Sequence, residues 1–384
     1  MSNPGILISA WHASQCVRQR SGIVSGPTPK AGVLDIAPYK AARGSAHAIR
    51  YQLASNESAL GPSPAAVEAL HSAASQIHLY PDGGAHDLRD AIAAVHSLDP
   101  ARIVCGNGSD ELLTLIANAY LRPGDEVLFS AHAFLVYRMT TLANSATPVA
   151  APEPDRHVDV GRMLALANPT TRIVFLANPN NPTGTWISGR ELRRLHAGLS
   201  LQTLLVIDSA YAEYMRERDY ESGSEMVSQF NNVVMTRTFS KAYGLAGLRL
   251  GWAYCPLAVA DVLNRTRGPF NVSGAAQRAA VTALRDRKHL ERAVAHNACW
   301  RHWLTMEIRE LGLQVDDSAG NFVLVRFSDE SAARAGDAFL LERGIVLRPT
   351  GAYGLPHGLR LTVGSEEANR AVVSALATFI KSGR

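Results

Sequence analysis

Lys241 stands where a lysine can do covalent chemistry. In the stretch TRTFSKAYGLAGLRLGW, Thr236 to Trp252, it comes shortly after the apolar run Val233–Met235, with hydroxyls at Thr238 and Ser240 and an arginine, Arg249, eight positions on (249 − 241). An amine just past the end of a buried strand is placed to form a Schiff base with a carbonyl. Asp208 holds the matching place at the end of TLLVID. An ionised carboxylate at the edge of a buried sheet is costly unless it meets a cation. A lysine for a Schiff base and a carboxylate for a protonated ring nitrogen are the two groups that pyridoxal phosphate requires. Taken singly, each has a plainer account, an N-capping aspartate and a surface lysine; the combination carries the reading.

A phosphate would need its own donors. The turn GNGSDE, residues 106–111, leads into a helix whose free N–H groups and positive dipole end suit a dianion. Glu111 breaks the G-x-G-x-x-G pattern, so this motif alone is also an ordinary helix start. Thr238 and Ser240 add hydroxyls and Arg249 a two-pronged guanidinium. NPNNPTG is by itself a set of turn signals; in this context Asn181 is placed to donate to a ring phenolic oxygen, with Tyr211, three residues after Asp208, alongside. No metal is needed for such a site. His289, His296, Cys299 and His302 share a predicted helix, but i to i+6 turns through about 600° at 3.6 residues per turn, which takes His302 off the face of His296. A partly buried helix with Trp300 and Trp303 accounts for them better than a metal site.

The elements that position these residues are short apolar runs followed at once by polar turns. Arg102–Cys105, Glu126–Phe129, Arg172–Ala177, Thr203–Ile207 and Val233–Met235 read as parallel strands buried on both faces, with helices between them. In open α/β sheets, ligands gather beyond the carboxyl ends of the strands. Ser109 is predicted to cap a helix with Leu112, Leu113, Ile116 and Tyr120 on its apolar face. Ser365 is predicted to open a closing helix that carries Val372, Val373, Leu376, Phe379 and Ile380. The composition changes after RGPFNVSG. The expected organisation is an N-terminal extension over 1–30, an arm over 31–50, a large domain over 51–268 and a small domain over 269–384.

With 384 residues the chain can hide about 75% of its unfolded surface. Its 47% hydrophobic and 19% charged residues are those of a globular protein. A formal net charge of +4, without basic runs, argues against a nucleic-acid partner. Cys16, Cys105, Cys255 and Cys299 show no C-x-x-C spacing, which fits a reducing compartment. Apolar stretches are too short for a membrane span, so the cytoplasm is expected. No acidic residue precedes Asp35; a floppy extension explains this more simply than a transit peptide.

The ordered set GNGSDE, ANPNNPTG, DSAYAEY, TRTFSKAYGLAGLRLGW and LRLTVG resembles the fold-type-I aminotransferases dependent on pyridoxal phosphate, from about Val33 to the C-terminus. LDIAPY, SNESALGPSP, YPDGG, RGPFNVS, NFVLVRF and YGLPHGLRLTVG make it most similar to the histidinol-phosphate aminotransferases among them. The resemblance implies an α/β fold, with a mostly parallel central sheet in the large domain and a smaller α+β domain. It implies that Lys241 carries the cofactor and shuttles the substrate proton, and that Asp208 keeps the ring nitrogen protonated. Asn181 and Tyr211 would hold the ring oxygen. Backbone N–H groups of Ser109 and Asp110, with Thr238, Ser240 and Arg249, would hold the phosphate. Phe134 would stack on the ring where many relatives carry tyrosine.

For the substrate, the resemblance places an α-carboxylate on Arg360 and the substrate's phosphate near Arg348 and Tyr39. Pro349 and Thr350 depart from the more polar residues expected after Arg348. Tyr80 would cross to a neighbouring subunit's cofactor phosphate, which implies a homodimer with shared sites. The implied reaction passes the amino group of L-histidinol phosphate to the cofactor and then to 2-oxoglutarate. Its rivals are an aromatic amino-acid aminotransferase, a decarboxylase of a phosphorylated amino acid such as threonine phosphate, and a catalytically silent scaffold; the intact Lys241, Asp208 and Arg249 set argues against the last.

Overall fold

In the computed structural model the described residues are 27–38 and 48–383. Tyr39 and the extension up to residue 26 lie outside them. Of the predicted arm, Val33–Asp35 makes a single 3₁₀ turn, and Ser145 Oγ donates to Ala31 O at 2.9 Å.

A short strand β1 (Tyr51–Gln52) precedes the seven strands of the main sheet: β2 (Ile103–Gly106), β3 (Glu126–Ser130), β4 (Thr147–Ala151), β5 (Thr171–Ala177), β6 (Leu204–Asp208), β7 (Val233–Thr238) and β8 (Gly251–Tyr254). Their order across the sheet is β2-β8-β7-β6-β5-β3-β4. All pairings are parallel except those of β8, which runs antiparallel to both β2 and β7. The five predicted strands are all present. β4 and β8 were not foreseen, because one is a partly exposed edge and the other a four-residue run inside a motif read for its chemistry.

Alternation explains the burial. Val174, Leu176, Leu205, Ile207, Val233 and Met235 face one core, while Ile173, Phe175, Leu204, Val206 and Val234 face the other. Both faces are therefore apolar, as expected for parallel strands with helices on each side. Those helices are α1 (Pro64–Ala73), α2 (His86–His96), α3 (Ser109–Tyr120), α4 (Leu135–Ala143), α5 (Val160–Leu166), α6 (Gly189–Ala197), α7 (Ser224–Gln229), α8 (Leu257–Thr266) and α9 (Gly274–Arg285).

A second body follows. Helix α10 (Arg287–Glu310) leads to β9 (Gln314–Val315), β10 (Phe322–Arg326), α11 (Glu330–Leu341), β11 (Ile345–Val346), β12 (Arg348–Pro349), β13 (Gly358–Thr362) and α12 (Glu366–Lys381). Its sheet is antiparallel, in the order β12-β13-β10-β9, over a separate core of Leu304, Val323, Val325, Phe339, Leu361, Val372, Leu376 and Phe379. Ser365 does cap α12, accepting from Ala368 N at 3.2 Å; Ile380, expected on its apolar face, is exposed.

Two details bear on the expected boundary at Gly268. Helix α9 lies beyond it, yet Ala276, Ala279, Ala280 and Leu284 join the core shared with α1 and α2. In the other direction, β1 pairs with β11. The change of core falls at the junction of α9 and α10, near Asp286. Among the described residues, no helix is long and apolar enough to cross a membrane.

Candidate active site

Strands β2, β3, β5, β6 and β7 end on one side, and beyond those ends lies a cavity of about 230 Å³. Ser109, Asp110, Phe134, Asn181, Asp208, Tyr211, Thr238, Ser240, Lys241 and Arg249 all line it, together with Ser55 and Glu57. Residues spread over 194 positions of sequence (249 − 55) are thus brought into one concave site.

One end of the cavity is built for an anion. Gly108 (φ 82°), not Ser109, is the N-cap of α3; Ser109 is the first helical residue and makes no side-chain cap. This corrects the predicted cap and leaves the hydroxyl of Ser109 facing the cavity along with the free N–H groups of the first turn. Arg249 Nη1 lies 3.4 Å from Ser240 Oγ, and Nη2 lies 3.3 Å from Asp110 Oδ2. Thr238 Oγ1 accepts from Ser240 N at 3.1 Å, which fixes the turn before the lysine. A Cβ on Gly108 would come within 2.7 Å of Arg249 Nη2, and one on Gly251 within 2.4 Å of Ser109 N. Glycine at both places lets the arginine and the helix end meet, so the residues fit a bound phosphate.

At the floor, Asp208 is buried and accepts from Tyr137 Oη at 2.9 Å and from Ala210 N at 3.3 Å. Burial raises its pKa to about 6, and the tyrosine hydrogen bond opposes the rise. A carboxylate in this position is completed by a cation, and a protonated ring nitrogen is one. Lys241 Nζ donates to Ser55 O at 3.0 Å. Burial, and then the charge of Arg360, lower the pKa of the amine to about 8, so a usable fraction is the free nucleophile near neutral pH.

Asn181 Oδ1 accepts from Arg360 Nη1, which leaves Nδ2 to donate into the cavity. Tyr211 accepts from Asn56 Nδ2 at 2.8 Å, and burial lifts its pKa to about 12, so its hydroxyl stays protonated and available as a donor. Phe134 presents its ring at the N-terminus of α4, 6.0 Å from that of Tyr137 at 90°. Arg360 does not line the cavity; it stands buried behind Asn181, donating to Ala54 O at 2.6 Å, with Nε unpartnered among the described residues. Arg348 lies opposite it across the β12–β13 pair, so both project from the same face of that sheet. Thr350 is structural: its hydroxyl meets Leu355 O and Gly358 O and closes the turn between those strands.

Tyr80 is not part of this cavity. It is 83% exposed, stacked on Phe270 at 4.7 Å, and lies along a separate groove of about 1400 Å³. His289 and His296 face the backbone oxygens of Gly61 and Gly364 at 3.1 and 2.9 Å. Tyr137, Ser55, Asn56 and Glu57 were missed by the sequence reading. Tyr137 left a faint signal, since it follows Phe134 by three residues and so shares its side of α4.

The chain belongs to the class I and II aminotransferase family, which it matches over residues 49–376. It is 54% identical over 361 residues to the histidinol-phosphate aminotransferase of Rhodospirillum centenum, covering 93% of this chain and 100% of the relative. The corresponding figures for the Paramagnetospirillum magneticum enzyme of the same name are 51%, 93% and 99%. Among solved structures, histidinol-phosphate aminotransferase from Sinorhizobium meliloti in complex with pyridoxal-5'-phosphate superposes with a TM-score of 0.85 at 31% identity, over 88% of this chain and 93% of that one.

Tyr137→Phe tests the support beneath Asp208. Without the hydroxyl, the carboxylate loses its tyrosine donor and its proton affinity rises, so the negative form needed against a ring cation is disfavoured. We expect pyridoxal phosphate to bind about tenfold more weakly to the cofactor-free variant, measured by absorbance titration, with the deficit largest at acid pH.

Proposed function

We propose that this chain transfers the amino group between L-histidinol phosphate and 2-oxoglutarate, using pyridoxal 5'-phosphate held in the strand-end cavity. The observation that carries the reading is the convergence of the amine of Lys241, the carboxylate of Asp208 and the anion cup of Ser109, Ser240 and Arg249 in one cavity, in a chain 51–54% identical to enzymes named for this activity. When bound, the cofactor supplies an aldehyde that takes up the amino group and a ring that withdraws electrons.

The protein does the rest by placement. Asp208, held by Tyr137, would keep a proton on the ring nitrogen. Asn181 Nδ2 and Tyr211 Oη would donate to the ring oxygen, and Phe134 would pack against the ring. The α3 N-terminus, Thr238, Ser240 and Arg249 would grip the phosphate. The amine of Lys241, in the same cavity, would move a proton to and from the substrate's α-carbon.

Arg360 needs one refinement. Histidinol phosphate has a phosphate ester where an amino acid has its α-carboxylate, so Arg348 and Arg360, the latter reached past Asn181, would meet a phosphate in one half-reaction and the carboxylates of 2-oxoglutarate in the other. A planar guanidinium suits both. Arg360→Ala is expected to raise KM for both substrates by about tenfold or more, a change on one side only being evidence against a shared anchor; it also leaves Ala54 O without its donor.

The groove beside Tyr80 supports a homodimer. Ile77, Leu79 and Tyr80 are 80%, 60% and 83% exposed along it, an apolar strip that a second copy would cover. Purified holoenzyme offered histidinol phosphate, phenylalanine and threonine phosphate side by side tests the activity. Preference for phenylalanine, or carbon dioxide release without use of an oxo acid, would replace this reading with one of its rivals.

A further inference from the structure

Three carboxylates line the cavity, and two have protein partners: Asp208 has Tyr137 and the Ala210 N–H, and Asp110 has Arg249. The third, Glu57, makes no side-chain hydrogen bond or ion pair among the described residues. Its backbone is nevertheless held firmly. Asn321 Nδ2 donates to Asn56 O at 2.9 Å and to Glu57 O at 3.2 Å, Asn56 N donates to Thr362 Oγ1 at 3.0 Å, and Asn56 Nδ2 donates to Tyr211 at 2.8 Å. An exposed residue that also lines a cavity stands at its mouth. The result is an unpaired acceptor on a rigid mount, beside a reactive amine whose proton affinity it raises. That effect works against a free nucleophile, so the carboxylate is better explained by what it meets in the substrate.

Resting on the function proposed above, we propose that the Glu57 carboxylate accepts the imidazole N–H of the amino donor and sets the site's preference for an imidazole over a hydrocarbon ring. The cationic side of the site, Arg360 with Arg348 opposite, takes the donor's phosphate, so the ring at the other end of the donor needs a different neighbour. An imidazole offers an N–H at any pH and becomes a cation below about pH 6.5; a phenyl ring offers neither. A site built to bond a substrate N–H discriminates against an analogue that lacks it, because the analogue's ring covers the acceptor without replacing the bond.

The test uses holoenzyme carrying Glu57→Gln and Glu57→Asp, with cofactor absorbance and thermal melting checked against wild type. The ratio of kcat/KM for histidinol phosphate to that for phenylalanine should fall roughly 10–100-fold in Glu57→Gln, mainly through KM for histidinol phosphate. Glu57→Asp, which keeps the charge, should recover part of the ratio. The wild-type rise in KM for histidinol phosphate as pH climbs through the imidazole range should flatten in Glu57→Gln. An unchanged ratio overturns the proposal, and so does an equal loss with both donors. If wild-type enzyme itself fails to use histidinol phosphate, the functional reading falls and this proposal with it; if wild type uses it and only the variant ratio stays put, the functional reading stands and Glu57 alone is excluded.

Discussion

Lys241→Ala should yield a folded protein whose turnover has fallen by at least about 10⁴-fold, the upper end of what one positioned acid–base group contributes. Among the described residues the side chain makes a single hydrogen bond, to Ser55 O, and belongs to none of the apolar cores, so its removal leaves the packing untouched. Its chemistry has no substitute among the described residues, where no other lysine lines the cavity. The visible absorbance of the lysine-linked cofactor should vanish as well. In the wild-type protein, capture of added pyridoxal phosphate requires the unprotonated amine. Its rate should therefore climb with pH and level off above about 8. Turnover near the wild-type rate, or capture independent of pH, would remove Lys241 from its assigned role.

Asp208→Asn should separate stability from activity. The acid's pKa rises from 3.8 to about 6 on folding, so the folded chain holds this proton more tightly than the unfolded chain. Its contribution is fully present below about pH 4 and is lost as pH rises through about 6, a change on the order of 3 kcal/mol. The cofactor-free asparagine variant should show no such loss, and at pH 7 it should melt above cofactor-free wild type. Catalysis should move the other way, falling on the order of 10²–10³-fold, since an amide cannot hold a proton on the ring nitrogen. Melting curves between pH 4 and 8, beside steady-state rates, check both halves. A variant less stable than wild type at pH 7 would contradict the burial argument.

Much of this was legible in the sequence, for a local reason. Each run such as TLLVID or Val233–Met235 is a strand buried on both faces, and its chemistry follows within a few residues of its end. Strand and candidate residue are thus read together, which is why Asp208, Asn181, Lys241 and Arg249, which the fold brings into one cavity, were singled out. What escaped depends on distant contacts. Tyr137 looks like any apolar helix residue until β6 places Asp208 above it. Ser55, Asn56 and Glu57 sit in an irregular segment fixed by Thr362, Asn321 and Tyr211, partners more than 150 positions away. The composition change at Gly268 marked the end of the sheet, but an alanine-rich helix carries too little pattern to say which core it joins, and α9 joined the earlier one.

The β12–β13 pairing also limits how this site can diverge. Arg348 and Arg360 occupy opposed positions on neighbouring antiparallel strands, and side chains alternate between faces at every step. Gaining or losing one residue within either strand would turn its guanidinium to the reverse side of the sheet. Length changes in relatives should therefore collect in the connecting turn, residues 351–357, while the strands themselves vary by replacement alone.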